Sequence, residues 1–187
     1  ISRFFLHVIP GQIGNDYAEL LSEAGYEKYR GWMKFERGPG DVGDITTDLA
    51  IREIGPEHAA AFASIVGDAF DFGVEFQPAI AALANDPNWH LYMGFDGDTP
   101  ACTGGLYMKD GVAYLDFGAT HPDFRRRGGQ TSLLNARIQA ALDAGCSSIV
   151  TMTGEAVPGD QQYSYRNIQR AGFNEAYLRE NWIPAGS

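Results

Sequence analysis

The sequence predicts an α/β fold of the α+β kind, and three observations predict it. Apolar residues switch repeatedly between the 3.6-residue spacing of a helix face and the short β-rich runs of strands. Turn-forming residues fall between those runs, at Pro10-Gly11, Gly25, Asn85-Asp86-Pro87, Asp96-Gly97-Asp98, Asp110-Gly111 and Gly145, where they punctuate elements rather than interrupt them. The stretch from Val112 to Cys146 reads as strand, basic glycine turn and helix without a break.

Taken in order, residues 4–9 form a β-rich run stopped by Pro10-Gly11. Tyr17, Leu20, Leu21 and Ala24 recur at helical spacing, with Asn15 or Asp16 as N-cap and Gly25 as the stop. Tyr26 to Phe35 is aromatic-rich and reads as a strand. Residues 38–47, rich in Gly, Asp and Thr, read as an exposed linker. Leu49, Ile51 and Ile54 open an edge-type strand. Phe62, Ile65, Val66, Ala69 and Phe70 make an amphipathic helix with Pro56 near its start, and Phe76, Ile80 and Leu83 a second helix. Trp89–Phe95 and Ala101–Met108 are strands, and Asp110-Gly111 is a tight hairpin signal leading into the strand from Val112. In the following helix Leu134, Ile138, Ala141 and Leu142 mark the buried face, while Asn135, Gln139 and Asp143 fall off it. From Asp48 the order is β-α-α-β-β-β-α-β-α-β.

The last third repeats the first. A strand over Ile149–Thr153 precedes Pro158-Gly159, as residues 4–9 precede Pro10-Gly11. A helix then ends in Ala171-Gly172-Phe173, as the earlier one ends in Ala24-Gly25-Tyr26. Similarity at an offset of about 147 residues is too long for a solenoid and suggests a duplicated unit. Two short strands and a helix cannot bury their own apolar faces, so residues 1–37 need the main domain or a partner to pack against.

The 187 residues carry a formal net charge of −10, which argues against a nucleic-acid partner and is compatible with a cationic amine. No apolar run reaches membrane-spanning length, so no membrane partner is expected. Cys102 and Cys146 lack metal-ligand spacing and read as reduced, buried thiols of a cytoplasmic protein; no metal site is expected.

The chemistry concentrates at Arg125-Arg126-Arg127-Gly128-Gly129-Gln130. A glycine turn feeding a helix leaves backbone N–H groups unpaired, and with the helix dipole they favour a phosphate or pyrophosphate. No Lys-Ser/Thr follows, which argues against a P-loop. The turn offers only adjacent glycines, deep in the chain after a strand run that reads as antiparallel, whereas a dinucleotide site needs G-x-G-x-x-G near the first strand of a βαβ unit. The run His121-Pro122-Asp123-Phe124-Arg125-Arg126-Arg127-Gly128-Gly129-Gln130 resembles the pyrophosphate-binding turn of the GCN5-related N-acetyltransferase (GNAT) family. The family pattern is His-Pro-x-aromatic-Arg-(Gly/Arg)-x-Gly-x-(Gly/Ala). Arg125 and Gly128 match its core and Gln130 departs from it. A Gln side chain there could crowd the phosphate or donate to it. The resemblance extends from Asp48 to Trp182, makes 48–187 the acetyltransferase domain, and makes 1–37 the tail of a preceding, truncated GNAT-like unit.

The resemblance implies a mixed central sheet with two splayed strands. It implies an acyltransferase that moves acetyl from acetyl-CoA to a small-molecule primary amine by direct attack. Residues Arg125 to Gln130 would hold the CoA pyrophosphate. Gly118, Ala119 and Thr120 would pair with the pantetheine arm, with the N–H near Gly118 facing the thioester oxygen, and Asn167 would reach the pantetheine amides. Asp116 and Glu155 are both candidates for general base. His90 and His121 read as structural. The family's general-acid tyrosine falls at Ile168, and Tyr165, about one turn earlier, is the nearest replacement, with Ser164 and Tyr163 behind it. Phe70, Phe72, Phe76, Trp89, Tyr92 and Phe117 are the candidates to line an acceptor pocket. Gln130 and Ile168 together motivate an alternative, a catalytically weak acyl-CoA-binding or sensing module, and the aromatic N-terminal piece motivates a purely structural subunit. The acceptor and a homodimeric state are left open.

Overall fold

The computed structural model describes residues 4–186, so residues 1–3 of the expected N-terminal tail lie outside the described part. The chain divides into two compact units, Arg37–Thr151 and Ile1–Glu36 with Met152–Ser187. The linker thus belongs to the larger unit, and the C-terminal third groups with the N-terminal piece.

The larger unit opens with strand β3 (Ala50–Ile54), which follows strands β1 (Leu6–Val8) and β2 (Tyr26–Arg37) of the smaller unit. A 3₁₀ turn at Pro56–His58 leads into helix α2 (Ala59–Phe70), which ends on Asp71 in the left-handed region, φ 54°. The second expected helix is one short segment, α3 (Gln77–Ala81), between 3₁₀ turns at Val74–Phe76 and Ala82–Asn85. Strands β4 (Trp89–Asp96), β5 (Thr99–Lys109) and β6 (Val112–Thr120) form an antiparallel meander with β3 at its edge. The β5–β6 connection has Asp110 at φ 52° and Gly111 at φ 77°, the paired positive angles of a type I′ hairpin. Helix α4 (Gly129–Asp143) then crosses back, and β7 (Ser148–Gly154) runs parallel to β6. The order is β7-β6-β5-β4-β3, with the first four residues of β7 inside this unit.

Strand alternation assigns each side chain to a face. On one face α2 and α3 bury Phe62, Val66 and Ile80 against Leu91, Met93, Phe95 and Ala119. On the other, Leu133 of α4 packs with Leu49, Ala101 and Cys102. Cys102 is fully buried, and burial pushes its thiol up to about 11, so it is an inert core residue. Asn135, expected to face away from the core, is buried. The reason is the linker: Asn135 Nδ2 donates to the Asp44 carbonyl at 3.0 Å, and Ser132 Oγ accepts the Thr46 N–H at 3.1 Å. Residues 44–47 therefore lie along α4 rather than free in solvent.

In the smaller unit β1 (Leu6–Val8), α1 (Tyr17–Glu23) and β2 (Tyr26–Arg37) combine with α5 (Tyr163–Arg170) and β8 (Asn174–Pro184). β8 runs between β1 and β2, antiparallel to both. Helices α1 and α5 each stop before a left-handed glycine, Gly25 at φ 83° and Gly172 at φ 82°, the local geometry the paired Ala-Gly-aromatic sequences require. Glu180 ties this unit together. Its buried carboxylate accepts from Lys28 Nζ at 2.5 Å, Tyr17 Oη at 3.0 Å and Trp182 Nε1 at 3.2 Å. Burial raises its pKa, but the three donors outweigh burial and leave it below the usual carboxylate value.

A carboxylate with a lowered folded pKa stabilises fully above its unfolded value, about 4.3, and loses that contribution as pH falls through the folded value. Glu180→Gln removes the ionised acceptor and should cost about 1–3 kcal/mol at neutral pH. Urea unfolding from pH 7 to pH 3 should show the deficit shrinking below about pH 4. A deficit constant across that range would mean that Glu180 does not act through its charge.

Candidate active site

The site is built where β6 leaves its ladders. Parallel pairing with β7 runs from Val112–Ser148 to Leu115–Thr151 and ends there, with the Thr151 hydroxyl donating to the Leu115 carbonyl at 2.9 Å. Asp116–Thr120 extend past that point. On the other side the β5–β6 register slips between Thr103 and Gly105. The slip is a bulge, and Phe117 within it sits at φ 52°. A bulky aromatic residue in the left-handed region costs on the order of 1–3 kcal/mol, and such strain gathers at functional sites.

A bulge frees carbonyls that the ladder would have paired, and they find side-chain donors here. The Thr103 hydroxyl donates to Phe117 C=O at 2.9 Å. Gln130 Nε2 donates to Ala119 C=O, to Thr120 Oγ1 at 3.0 Å and to Thr103 C=O at 3.3 Å. Arg137 Nη1 donates to Gly105 C=O at 2.9 Å and Asp116 C=O at 3.0 Å. Gln130 and Arg137 stand seven residues apart on α4, on one helix face. Gln130 was expected to crowd a phosphate or donate to it. Its amide instead turns inward to β5 and β6, because three acceptors await it there.

Backbone direction follows from one bond. His121 N–H donates to Ala101 C=O at 2.9 Å, and antiparallel strands alternate which neighbour their peptide groups address. Ala119 therefore faces β5, while Thr120 and, on the same phase, Gly118 direct their N–H and C=O groups away from it. Gly118 is also closely covered from α4: a Cβ there would lie 3.0 Å from Gln130 Oε1.

After β6, the His121 ring accepts the Asp123 N–H and caps a 3₁₀ turn, Pro122–Phe124, which fits its structural reading. Arg126 at φ 65° and Gly128 at φ 78° then turn the chain into α4. A Cβ on Gly129 would lie 2.8 Å from Cys102 Sγ, so the helix start can approach the sheet only with glycine there. The result is a cluster of N–H groups, from Arg126 to Gln130, at the positive end of a 15-residue helix. The three arginines differ. Arg125 and Arg126 are exposed and form no ion pair among the described residues. Arg127 pairs with Asp48 at 2.5 Å and Asp96 at 2.9 Å. Both carboxylates are held below their usual pKa by Arg127. Its side chain fastens the turn to the segment that enters β3 and to the end of β4, so the positive potential at the turn comes from the other two.

The remaining candidates are fixed as follows. Asp116 has both carboxylate oxygens engaged, by Tyr114 Oη at 2.7 Å and the Phe117 N–H at 2.8 Å. His90 bonds Glu53 at 2.8 Å on the sheet edge. The expected aromatic lining separates. Trp89 and Phe117 pack with ring centroids 5.5 Å apart, tilted by 45°, on the α2 face, and Phe70, Phe72 and Phe76 form a string of rings from the end of α2 onward. Tyr92 lies on the opposite face with Leu49 and Cys102. Trp89 and Tyr92 are three residues apart in one strand, so they cannot share a face. In the smaller unit, Glu155 Oε1 accepts the Gly31 N–H at 3.1 Å. Tyr165 is buried edge-on to Phe35 at 4.8 Å, and its pKa is pushed up to about 12, first by burial and then by its hydrogen bond to Glu175. Ile168 is buried, Tyr163 is exposed, and Asn167 accepts from Arg170 at 3.3 Å. Thr103 and Arg137 went unread in the sequence. The adjacent Gly104 and Gly105 within a strand were the available signal, since paired strand glycines mark a close approach.

A strand that runs past its ladder beside a glycine turn at a helix start, on a mixed sheet with helices on both faces, is the arrangement of an acyltransferase fold. The comparisons agree. The chain matches the model of the Acetyltransferase (GNAT) family over residues 59–173, more than half of its length, and it belongs to that family. No curated protein matches it by sequence. Among solved structures it is similar to a GCN5-related N-acetyltransferase from Kribbella flavida, with TM-score 0.71 and 17% identity over 97% of this chain and 68% of that one. It is similar to a GCN5-related N-acetyltransferase from Sphaerobacter thermophilus, with TM-score 0.75 and 14% identity over 97% and 60%. It also resembles AAC(6')-Iy in complex with the bisubstrate analog CoA-S-monomethyl-acetylneamine, with TM-score 0.57 and 16% identity over 69% and 92%. These likenesses are of fold. The chain spans 60% of the Sphaerobacter protein's length.

The electrostatic division of the turn is testable. Arg125→Ala with Arg126→Ala should weaken CoA binding by roughly tenfold at low salt, and less at high salt. Removing the whole clamp, Arg127→Ala with Asp48→Asn and Asp96→Asn, should leave affinity within about twofold while lowering the melting temperature. Calorimetric titration that shows the clamp variant losing more CoA affinity than the arginine pair would contradict the division.

Proposed function

We propose that the chain transfers an acetyl group from acetyl-CoA to a small-molecule primary amine. The observation that carries this reading is the departure of β6 from the β7 ladder at Leu115, directly ahead of the N–H cradle at Arg126–Gln130. The donor set suits the cofactor. The turn offers main-chain N–H groups to a pyrophosphate, Arg125 and Arg126 add charge, and Gly118 and Thr120 present strand-like peptide groups to an amide-bearing arm. When bound there, acetyl-CoA supplies a thioester carbon for attack.

The chain's own tasks are then few. A neutral amine nitrogen forms the new C–N bond as the C–S bond breaks, the nitrogen's proton passes to a base, and a thiolate leaves. The N–H near Gly118 is the proposed donor to the carbonyl oxygen, where negative charge develops. Asp116 and Glu155 remain the candidate bases, acting through water since each already accepts a fixed N–H. Tyr165 keeps its proton at neutral pH, the state a donor to the thiolate needs, and would have to exchange its bond to Glu175 to give that proton up. A thiolate with a pKa near 8.5 makes small demands on that donor. The alternative, a sensing module, drew on Gln130 and Ile168; the inward turn of the Gln130 side chain weakens the first ground, and the buried Ile168 leaves the second standing.

Gly128→Asp adds a carboxylate and a side chain at a left-handed position, where a Cβ would already stand 3.2 Å from the Thr46 carbonyl. CoA affinity should fall by at least about tenfold, with thiol release across an amine library falling alongside. The same assay on Tyr165→Phe reads the proton donor, as a fall in kcat at unchanged CoA affinity. Full CoA affinity in a folded Gly128→Asp protein would refute the site.

A further inference from the structure

The bulge in β6 rests on a buried charge. Arg137 is 3% exposed. Its Nε donates to Leu133 C=O at 3.0 Å, one turn back in α4, and its Nη1 bridges Gly105 C=O of β5 and Asp116 C=O of β6. The fit is close, since a Cβ on Gly104 would stand 2.6 Å from the guanidinium carbon. No carboxylate among the described residues comes within ion-pair distance of it. The charged and titratable groups that act on it are Asp116, Tyr92 and Cys102, and burial lowers its pKa to about 10, which leaves it cationic at neutral pH.

An unpaired buried cation is costly, by several kcal/mol, even after relaxation. Hydrogen bonding alone does not explain its use. The other freed carbonyls of this bulge, Phe117 and Ala119, are satisfied by neutral donors, the Thr103 hydroxyl and the Gln130 amide. The Arg137 carbonyl pair spans two strands, as the Gln130 pair on Thr103 and Ala119 does, but it differs in lying just before the peptide groups at Phe117 and Gly118 and in being held by a charged donor. A fixed cation behind that segment holds the bulge and places positive potential under the part of β6 where acyl transfer would develop negative charge.

We propose that Arg137 is a positioning residue for acyl transfer: its cation locks the β6 bulge and favours the negatively charged transition state at the Gly118 end of the strand. This rests on the acetyltransferase reading above. Arg137 touches no reacting atom, so it contributes through the bulge and through its field.

The test compares Arg137→Met, Arg137→Lys and Arg137→Gln with the wild type in three measurements: CoA affinity by calorimetry, thiol release from acetyl-CoA with an amine library, and melting temperature. Arg137→Met should retain CoA affinity within about threefold and lose at least about tenfold in kcat, with KM for acetyl-CoA little changed. Arg137→Lys should recover most of that kcat. A purely structural role would shift the melting temperature and leave kcat intact in the folded fraction. Full kcat in Arg137→Met overturns the inference, as does a Lys variant no better than Met. If Arg137→Met does not fold, the pair Lys and Gln decides: Lys more active than Gln supports a role for charge, and equal activity overturns it. A wild type that binds no CoA or releases no thiol overturns this inference and the acetyltransferase reading together. A wild type that does both beside an unaffected Arg137 series overturns the inference alone.

Discussion

The main-chain irregularity in β6 is the constraint on which the site depends. Phe117 turns into the left-handed region, the β5–β6 register slips, and carbonyls on both strands lose their ladder partners. A buried carbonyl left unpaired costs about 1–3 kcal/mol, so this bulge exists only because α4 and Thr103 supply donors. Gln130 and Arg137, two helical turns apart, reach through the same face of α4 to the same seam. That requirement explains the glycines beneath them. Gly104 leaves room for the guanidinium, and Gly118 lies against the Gln130 amide. The strand distortion, the helix residues and the glycines form one structural unit.

The basic turn obeys a second division of labour. Of three adjacent arginines, Arg127 holds the turn to Asp48 and Asp96, and Arg125 and Arg126 are left exposed. Glycines 128 and 129 solve separate problems, a left-handed turn and a close approach to Cys102. The linker enters the same arrangement, since the Thr47 hydroxyl donates to Arg127 C=O at 2.6 Å. The turn is thus supported from behind by a segment that composition alone marks as loose.

Local features were legible in the sequence, and features that depend on distant partners were not. The Asp110-Gly111 hairpin, the β6-turn-α4 run and the α2 face follow from periodicity and turn chemistry, and they stand as read. Gln130 could be seen to break the family pattern, but where its amide goes depends on acceptors from β5 and β6. Asn135 was assigned to solvent because helical spacing says nothing of a linker lying over it. Tyr92 was grouped with Trp89 by composition, although the two-residue period of a strand already separated them. The grouping of the last third with residues 1–37 escaped the reading, because β8 takes both its partners from the first 37 residues, 138 to 176 positions away.

The central claim is that β6 beyond Leu115 and the turn at Arg126–Gln130 together receive acetyl-CoA. Residue-resolved amide hydrogen exchange, with and without CoA, reads it most directly. Slowed exchange should appear at Gly118, Thr120 and the Arg126–Gln130 N–H groups, with little change at Ala119, whose N–H already faces β5. Binding of CoA with none of these amides slowed, or with protection confined to other elements, would contradict the account.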